Sequence, residues 1–309
     1  MAGRVWVFEI ISLIARLAPV VEVSTIAPMS PFRLLLMSFV CSALPAVAAE
    51  TPRETGPTIA TSSVERTDQW HGFTRRKFVC DGCEAWIVEP KTALPGKPWS
   101  WCMEFPDAFT ERCAAPALLT NGFHHAHISV GNTYGSPGAM KHFEAFHAEA
   151  VKRGLAPKAA LIGISRGCLY AHRFAAEHPD KVSVIYGDAG VCDIKSWPGG
   201  KGKGKGSAAD WASLQKFYGF RDEAAALDWK GGPVDTLAPL AKGKIPLIYV
   251  VGDSDTVVPA AENTLIVEQR YKAFGVVRVI HKPGVDHHPH GLDDPTPVVN
   301  FIIEAAKVK

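Results

Sequence analysis

The period of the hydrophobic positions changes repeatedly along this chain, and the changes mark its elements. Phe73 to Cys80 and Glu84 to Glu89 read as two strands around Asp81-Gly82, a hairpin turn signal. After a loop from Pro90 to Pro98, Trp99 to Phe105 opens as a third strand. Ala114 to Leu119 reads as a short helix, and His125 to Val130 alternates as a strand. Met140, Phe143, Phe146 and Ala150 recur at helical spacing within Ala139 to Arg153, a stretch closed by Gly154. A short apolar run, Ala159 to Ile164, then reads as a buried strand, followed by a helical pattern through Leu169, Tyr170, Phe174 and Ala175. Val182 to Tyr186 is the next strand. The pattern lapses between Cys192 and Pro239, where a Gly-Lys tract precedes two short helical stretches, Ala208 to Phe217 and Glu223 to Trp229. It resumes as a strand (Ile245 to Val251), a helix (Ala260 to Phe274), a strand (Val276 to Ile280) and a helix (Val298 to Ala306). Strands alternating with helices predict an α/β domain with a mostly parallel sheet covered on both faces, and residues 193–239 as a cap insertion.

A chain of 309 residues accommodates one large α/β domain or two small ones. Its 47% hydrophobic and 21% charged content is ordinary for a soluble globular protein. A net charge of +2, with the basic residues mostly dispersed, gives no argument for a nucleic-acid partner. The N-terminal region stands apart. Met29 to Arg33 is a short basic start, Leu34 to Leu44 is apolar, and Ala46-Val47-Ala48-Ala49 is a small-residue cleavage signal, the layout of a secretory signal peptide. The apolar stretch is too short for a membrane span of about twenty residues. Residues 1–49 are therefore expected to be a signal peptide, with translation starting at Met29 and the upstream part a misassigned start; an uncleaved N-terminal anchor is the alternative. Residues 50–64 form a polar leader, residues 65–309 the catalytic domain, and the mature protein is expected to be secreted or periplasmic without stable membrane insertion.

Export changes how the cysteines read. Six lie beyond the signal: Cys80, Cys83, Cys102, Cys113, Cys168 and Cys192. An even number in an oxidising compartment favours disulfides between sequence neighbours, namely Cys80–Cys83, Cys102–Cys113 and Cys168–Cys192, although six cysteines allow fifteen pairings.

The chemistry centres on Gly163-Ile164-Ser165-Arg166-Gly167, a Gly-x-Ser-x-Gly pattern with a strand before it and a helix after it. A serine on so sharp a turn sits in strained backbone geometry, with its hydroxyl held at the positive end of the following helix. A serine hydroxyl needs a base within reach and an acid to orient that base. Both types occur further on, at Asp255-Thr-Val-Val-Pro259 after one strand and Gly284-Val-Asp-His287-His288-Pro-His290 after the last. These three motifs, in this order from Phe73 to the C-terminus, resemble the α/β-hydrolase superfamily, particularly its secreted bacterial esterase-like members. The resemblance implies an α/β-hydrolase fold, Ser165 as nucleophile, Asp255 as orienting acid and His287 as general base. Asp253 and Asp188 are rival acids, and His288 and His290 are rival bases. Asp286 departs from the small residue that often precedes the family's histidine.

The developing oxyanion needs two N–H donors. One is expected from Arg166, the residue after the nucleophile, and the other from the loop of Trp101, Cys102 and Met103, since the family's usual His-Gly-Gly loop is missing. Trp197 and Trp211 in the cap are candidates for substrate binding, as a sugar platform or pocket wall, or else cap core. The histidine cluster, together with His124, His125 and His127, also suggests a metal site. Against this, adjacent His287 and His288 are expected to point in different directions, and no acidic residue stands at a recognised zinc spacing. No metal or organic cofactor is expected. The resulting expectation is a serine hydrolase cleaving a small-molecule or carbohydrate-linked carboxylic ester, with a serine peptidase or a non-catalytic binding protein on the same fold as alternatives.

Overall fold

The structure, a computed structural model, describes residues 65–307. The region read as a signal peptide and leader lies outside them. Nine strands form one sheet: β1 (Arg66–Trp70), β2 (Phe73–Cys80), β3 (Cys83–Val88), β4 (Trp99–Cys102), β5 (His124–Ile128), β6 (Ala159–Ile164), β7 (Val182–Asp188), β8 (Leu247–Gly252) and β9 (Val277–Lys282). Their order is β1-β2-β3-β5-β4-β6-β7-β8-β9. β1 and β2 pair antiparallel through the turn at His71-Gly72, β2 and β3 through that at Asp81-Gly82, and β3 with β5; the remaining pairings, from β5–β4 to β8–β9, are parallel.

Parallel strands need crossover helices, and the side chains show which face each helix covers. On β6, Leu161 packs into one core with α2 (Pro137–Lys152), α3 (Gly167–Glu177), α6 (Leu237–Lys242) and α7 (Thr264–Tyr271). Ala160, Ile162 and Ile164 point the other way, onto α1 (Ala115–Thr120) and α8 (Thr296–Lys307). Continuous burial of β6 and β8 explains why both read as unbroken apolar runs. Trp101 is a hub of the first core: its ring lies 5.1 Å from the rings of Phe143, Phe146 and Phe174.

The segment between β7 and α6 carries α4 (Ala208–Tyr218) and α5 (Glu223–Asp228), each started by a side-chain cap, Ser207 and Asp222 respectively. The Gly-Lys tract before them is tied down: Lys205 N–H donates to Thr256 O at 3.2 Å, and Lys201 pairs with Glu223 at 2.8 Å. Expected helix Ala260 to Phe274 is shorter than its periodicity suggests. Asn263 leaves helical geometry (φ −129°, ψ −99°) so that its side-chain oxygen can accept the Cys192 and Asp193 N–H groups at 2.9 and 3.0 Å. No helix among the described residues is long and apolar enough to cross a membrane.

The cysteine expectation is corrected. Cys80, Cys83, Cys102, Cys113, Cys168 and Cys192 are all free thiols. Each of the last four sulfurs is turned to a partner other than a cysteine: Cys102 to Glu104 O and Cys168 to Gly163 O, both at 3.1 Å, Cys113 to the Tyr186 hydroxyl, and Cys192 to Thr264. Cys80 and Cys83 face each other as the closing pair of a two-residue hairpin. They stand in register there without a bond.

Candidate active site

Ser165 occupies the turn between β6 and α3 with φ +50°, a left-handed conformation unusual for serine. The turn is stapled to the end of β7. Ser165 N–H donates to Asp188 O at 2.8 Å, and Val191 N–H donates to Ser165 O at 3.0 Å. Gly163 is required by proximity: a Cβ there would lie 2.8 Å from the Cys168 nitrogen. Gly167 is less constrained, with its nearest neighbour, Glu104 Cβ, at 3.6 Å.

The hydroxyl of Ser165 lies 3.0 Å from His287 Nε2, and His287 Nδ1 lies 2.8 Å from Asp255 Oδ2. Ser165 is half-buried, whereas Asp255 and His287 are buried. A carboxylate accepts, so the ring donates from Nδ1 and keeps Nε2 as acceptor for the serine proton. The other oxygen of Asp255 accepts the N–H groups of Val257 and Val258 at 2.9 and 2.7 Å, which accounts for the turn that follows the aspartate. Asp286, the departure noted in the sequence, joins the two loops: its Oδ1 accepts from Thr256 N–H at 2.7 Å and from His287 N–H at 2.8 Å.

The rivals are sorted by the same geometry. Asp253 faces outward and accepts from His281 Nδ1 at 2.6 Å. Asp188 and His290, one considered as an acid and the other as a base, pair with each other at 2.8 Å, both buried. Asp188 also accepts from Gly291 N–H and the Tyr186 hydroxyl, at 2.9 and 2.8 Å. His288 is exposed. Arg112 braces the loop from below, donating to His290 O at 2.7 Å and pairing with Asp293. His124, His125 and His127 lie on β5 away from this cluster. His125 Nδ1 meets Ser100 Oγ and His127 Nδ1 meets Cys102 O, both at 2.8 Å.

The oxyanion expectation is half changed. Among the described residues the Arg166 N–H has no acceptor, as a donor aimed at substrate should. Trp101 and Cys102, however, belong to β4, where Trp101 is paired on both sides and Cys102 pairs with Ile162 of β6. Met103 N–H is also taken, by Ile162 O at 3.0 Å. Among the described residues the Glu104 and Phe105 N–H groups have no acceptor, and Glu104 N is the one beside Gly167 at the start of α3. Glu104 and Phe105 thus join the candidates for the second donor on the same loop.

A polar group beside the nucleophile escaped the sequence reading. Arg166 Nε donates to Glu104 Oε1 at 2.8 Å, its guanidinium lies 4.9 Å from the Phe105 ring centroid and 5.6 Å from that of Tyr134, and it reaches Asp210 of the cap at 3.5 Å. Tyr134 donates to Asp210 at 2.6 Å. Burial pushes the Glu104 carboxyl up to about 7 against the pull of Arg166, and its Oε2 is buried without a partner. No local motif announces these contacts, because they join residues from four separate segments. Of the two cap tryptophans, Trp211 is buried and donates to Glu223 at 3.1 Å, which makes it cap core and corrects its expected substrate role. Trp197 stays half-buried, 6.4 Å from the Tyr134 ring.

No family model matches the chain, and no curated protein does. Solved structures do match. Puromycin hydrolase aligns with a TM-score of 0.58 at 14% identity over 79% of this chain and 40% of its own, so the chain spans less than half of that protein's length. Est1E from Butyrivibrio proteoclasticus aligns with a TM-score of 0.51 at 15% identity, covering 79% of this chain and 99% of its own. An esterase, E25, aligns with a TM-score of 0.53 at 15% identity, covering 78% of each. Identities this low carry the architecture alone. The chain has the α/β-hydrolase fold.

Proposed function

We propose that the chain is a serine hydrolase of carboxylic esters, with Ser165 as nucleophile, His287 as general base and acid, and Asp255 as its orienting partner. The observation that carries this reading is the continuous relay from a half-buried serine hydroxyl to a buried carboxylate, 3.0 Å and then 2.8 Å. Ser165 Oγ attacks the ester carbonyl as its proton passes to His287 Nε2. The tetrahedral oxyanion takes hydrogen bonds from the Arg166 N–H and from the Glu104 or Phe105 N–H. His287 returns the proton to the departing alcohol, and water, activated by the same imidazole, releases the acid. Asp255 stabilises the imidazolium that forms in each half-reaction. The fold's esterase neighbours support an ester, and the half-buried Trp197 of the cap supports a sugar-linked acyl group. The puromycin hydrolase likeness supports amide cleavage as the second reading. Export belongs to the same proposal and rests on the sequence of residues 29–49 alone.

The test is labelling and turnover. Ser165→Ala is expected to abolish fluorophosphonate labelling and to lower p-nitrophenyl acetate hydrolysis by about 10⁴-fold or more. Faster turnover of aminoacyl-nitroanilides than of simple and sugar esters would favour the amide reading, and an unlabelled wild-type serine would end both.

A further inference from the structure

The last loop carries more imidazole than a triad uses. His287, His288 and His290 each offer a ring nitrogen, and these atoms lie within 4.8 Å of one another. The rings meet edge to face, with centroids 4.8 to 4.9 Å apart and interplanar angles of 75° to 89°. Sequence spacing alone pointed away from a metal here, because adjacent His287 and His288 were expected to point in different directions and no acidic residue stands at a recognised zinc spacing. The backbone after β9 is a turn, and it brings them together.

Two of the three rings are already set as ligands. His287 and His290 each direct Nδ1 at a buried carboxylate, Asp255 and Asp188 respectively, both at 2.8 Å. That contact fixes the proton on Nδ1 and leaves Nε2 as the lone-pair nitrogen, in His287 the one that faces Ser165 at 3.0 Å; a carboxylate on Nδ1 is the arrangement that orients imidazoles toward zinc. The Asp188 contact uses only His290 Nδ1, and among the described residues His290 Nε2 has no hydrogen-bond partner. His288, the exposed member, stands where an ion arriving from solvent is met first. An all-imidazole donor set with a fourth position open suits Zn²⁺, and Asp188 and Asp255 place two negative charges behind it. A tetrahedral site with Zn–N bonds of about 2.0–2.1 Å separates nitrogens by roughly 3.3 Å, so binding draws the rings together by up to about 1.5 Å.

We propose that His287, His288 and His290 form a zinc site that switches the enzyme off by taking the Nε2 that serves Ser165. This rests on the serine hydrolase reading for its consequence but not for the site itself. With zinc bound, the serine loses its acceptor and cannot be deprotonated; removal of the ion restores it, with no covalent change.

The experiment uses the full chain stripped with chelator. Titration calorimetry with ZnCl₂ is expected to show one ion per chain, and Co²⁺ the visible absorption of a tetrahedral nitrogen site. His288→Ala and His290→Ala are each expected to weaken binding about tenfold or more, with thermal melts reporting that each variant is folded. Ser165→Ala is expected to bind zinc as wild type does. Zinc should block fluorophosphonate labelling of wild type, and EDTA should restore it. Wild type without zinc heat or cobalt absorption overturns the site, as does equal binding by both histidine variants. Loss of ester turnover and labelling in metal-free wild type instead overturns the hydrolase reading and leaves the binding data standing, so the two failures are distinct.

Discussion

Glu104 is a carboxylate under two opposed influences. Burial raises its proton affinity, with the acid pushed up to about 7, while Arg166 at 2.8 Å favours the charged form. An acid whose folded pKa lies above its unfolded value of about 4.5 binds more protons in the native state between those limits. Its contribution to stability is therefore complete below about pH 4.5 and is lost as pH rises toward about 7. Glu104→Gln cannot titrate. The stability of wild type relative to this variant is expected to fall by about 1–3 kcal/mol between those pH values, read from denaturant unfolding at each pH. A constant difference would show that the Arg166 pair keeps Glu104 ionised throughout. The same residue also marks what sequence could not supply. Glu104, Tyr134, Arg166 and Asp210 meet only after α2, α3 and the cap have packed, and nothing in their local spacing distinguishes them from surface charges.

At the scale of elements, the elbow between β6 and α3 is asymmetric. Gly163 faces backbone at 2.8 Å, whereas Gly167 faces Glu104 Cβ at ordinary contact distance. Gly163→Ala is expected to cost about 1–3 kcal/mol through overpacking, and Gly167→Ala less than about 1 kcal/mol, since alanine favours the helix it begins; chemical denaturation measures both. The elbow, the acid turn and the histidine loop were legible because each depends on local turn chemistry that leaves a short motif. Arg66 to Trp70 was missed as a strand because it is a polar edge, with four of five residues exposed or half-buried and little period to detect. The helix from Ala260 was overextended because Asn263 serves the cap root rather than its own helix, a long-range demand invisible to periodicity. The thiols were misjudged for a related reason: cysteine count carries no information on where each sulfur points, and here four point at backbone or hydroxyl partners.

At the scale of the molecule, the candidate residues sit on the carboxyl ends of four adjacent strands. Ser165 follows β6, Asp188 ends β7, Asp255 follows β8 and His287 follows β9. The histidine loop is fastened after β8 by Asp286 to Thr256 and His287 to Asp255, at β7 by His290 to Asp188, and after β6 by His287 to Ser165. Alternating faces of the same strands separate the two cores, so the sheet that carries the site is also the partition between them. The hydrophobic period gave the α/β class, and the resemblance of the three motifs to the α/β-hydrolase superfamily implied that they share one rim, while the pairing of Asp188 with His290 needed coordinates.

The serine and its histidine lie 122 positions apart in the chain, and the second of them hangs from an edge strand that pairs only with β8. On the proposed hydrolase reading, a polypeptide still on the ribosome carries Ser165 long before His287 exists, and cannot act on esters during synthesis. Refolding from denaturant should repeat that delay: fluorophosphonate capture is expected to lag the recovery of tryptophan fluorescence, because the separation makes the final contact entropically late. Capture that ran ahead of the fluorescence would mean that the Ser165 turn and the His287 loop meet before the rest of the core forms.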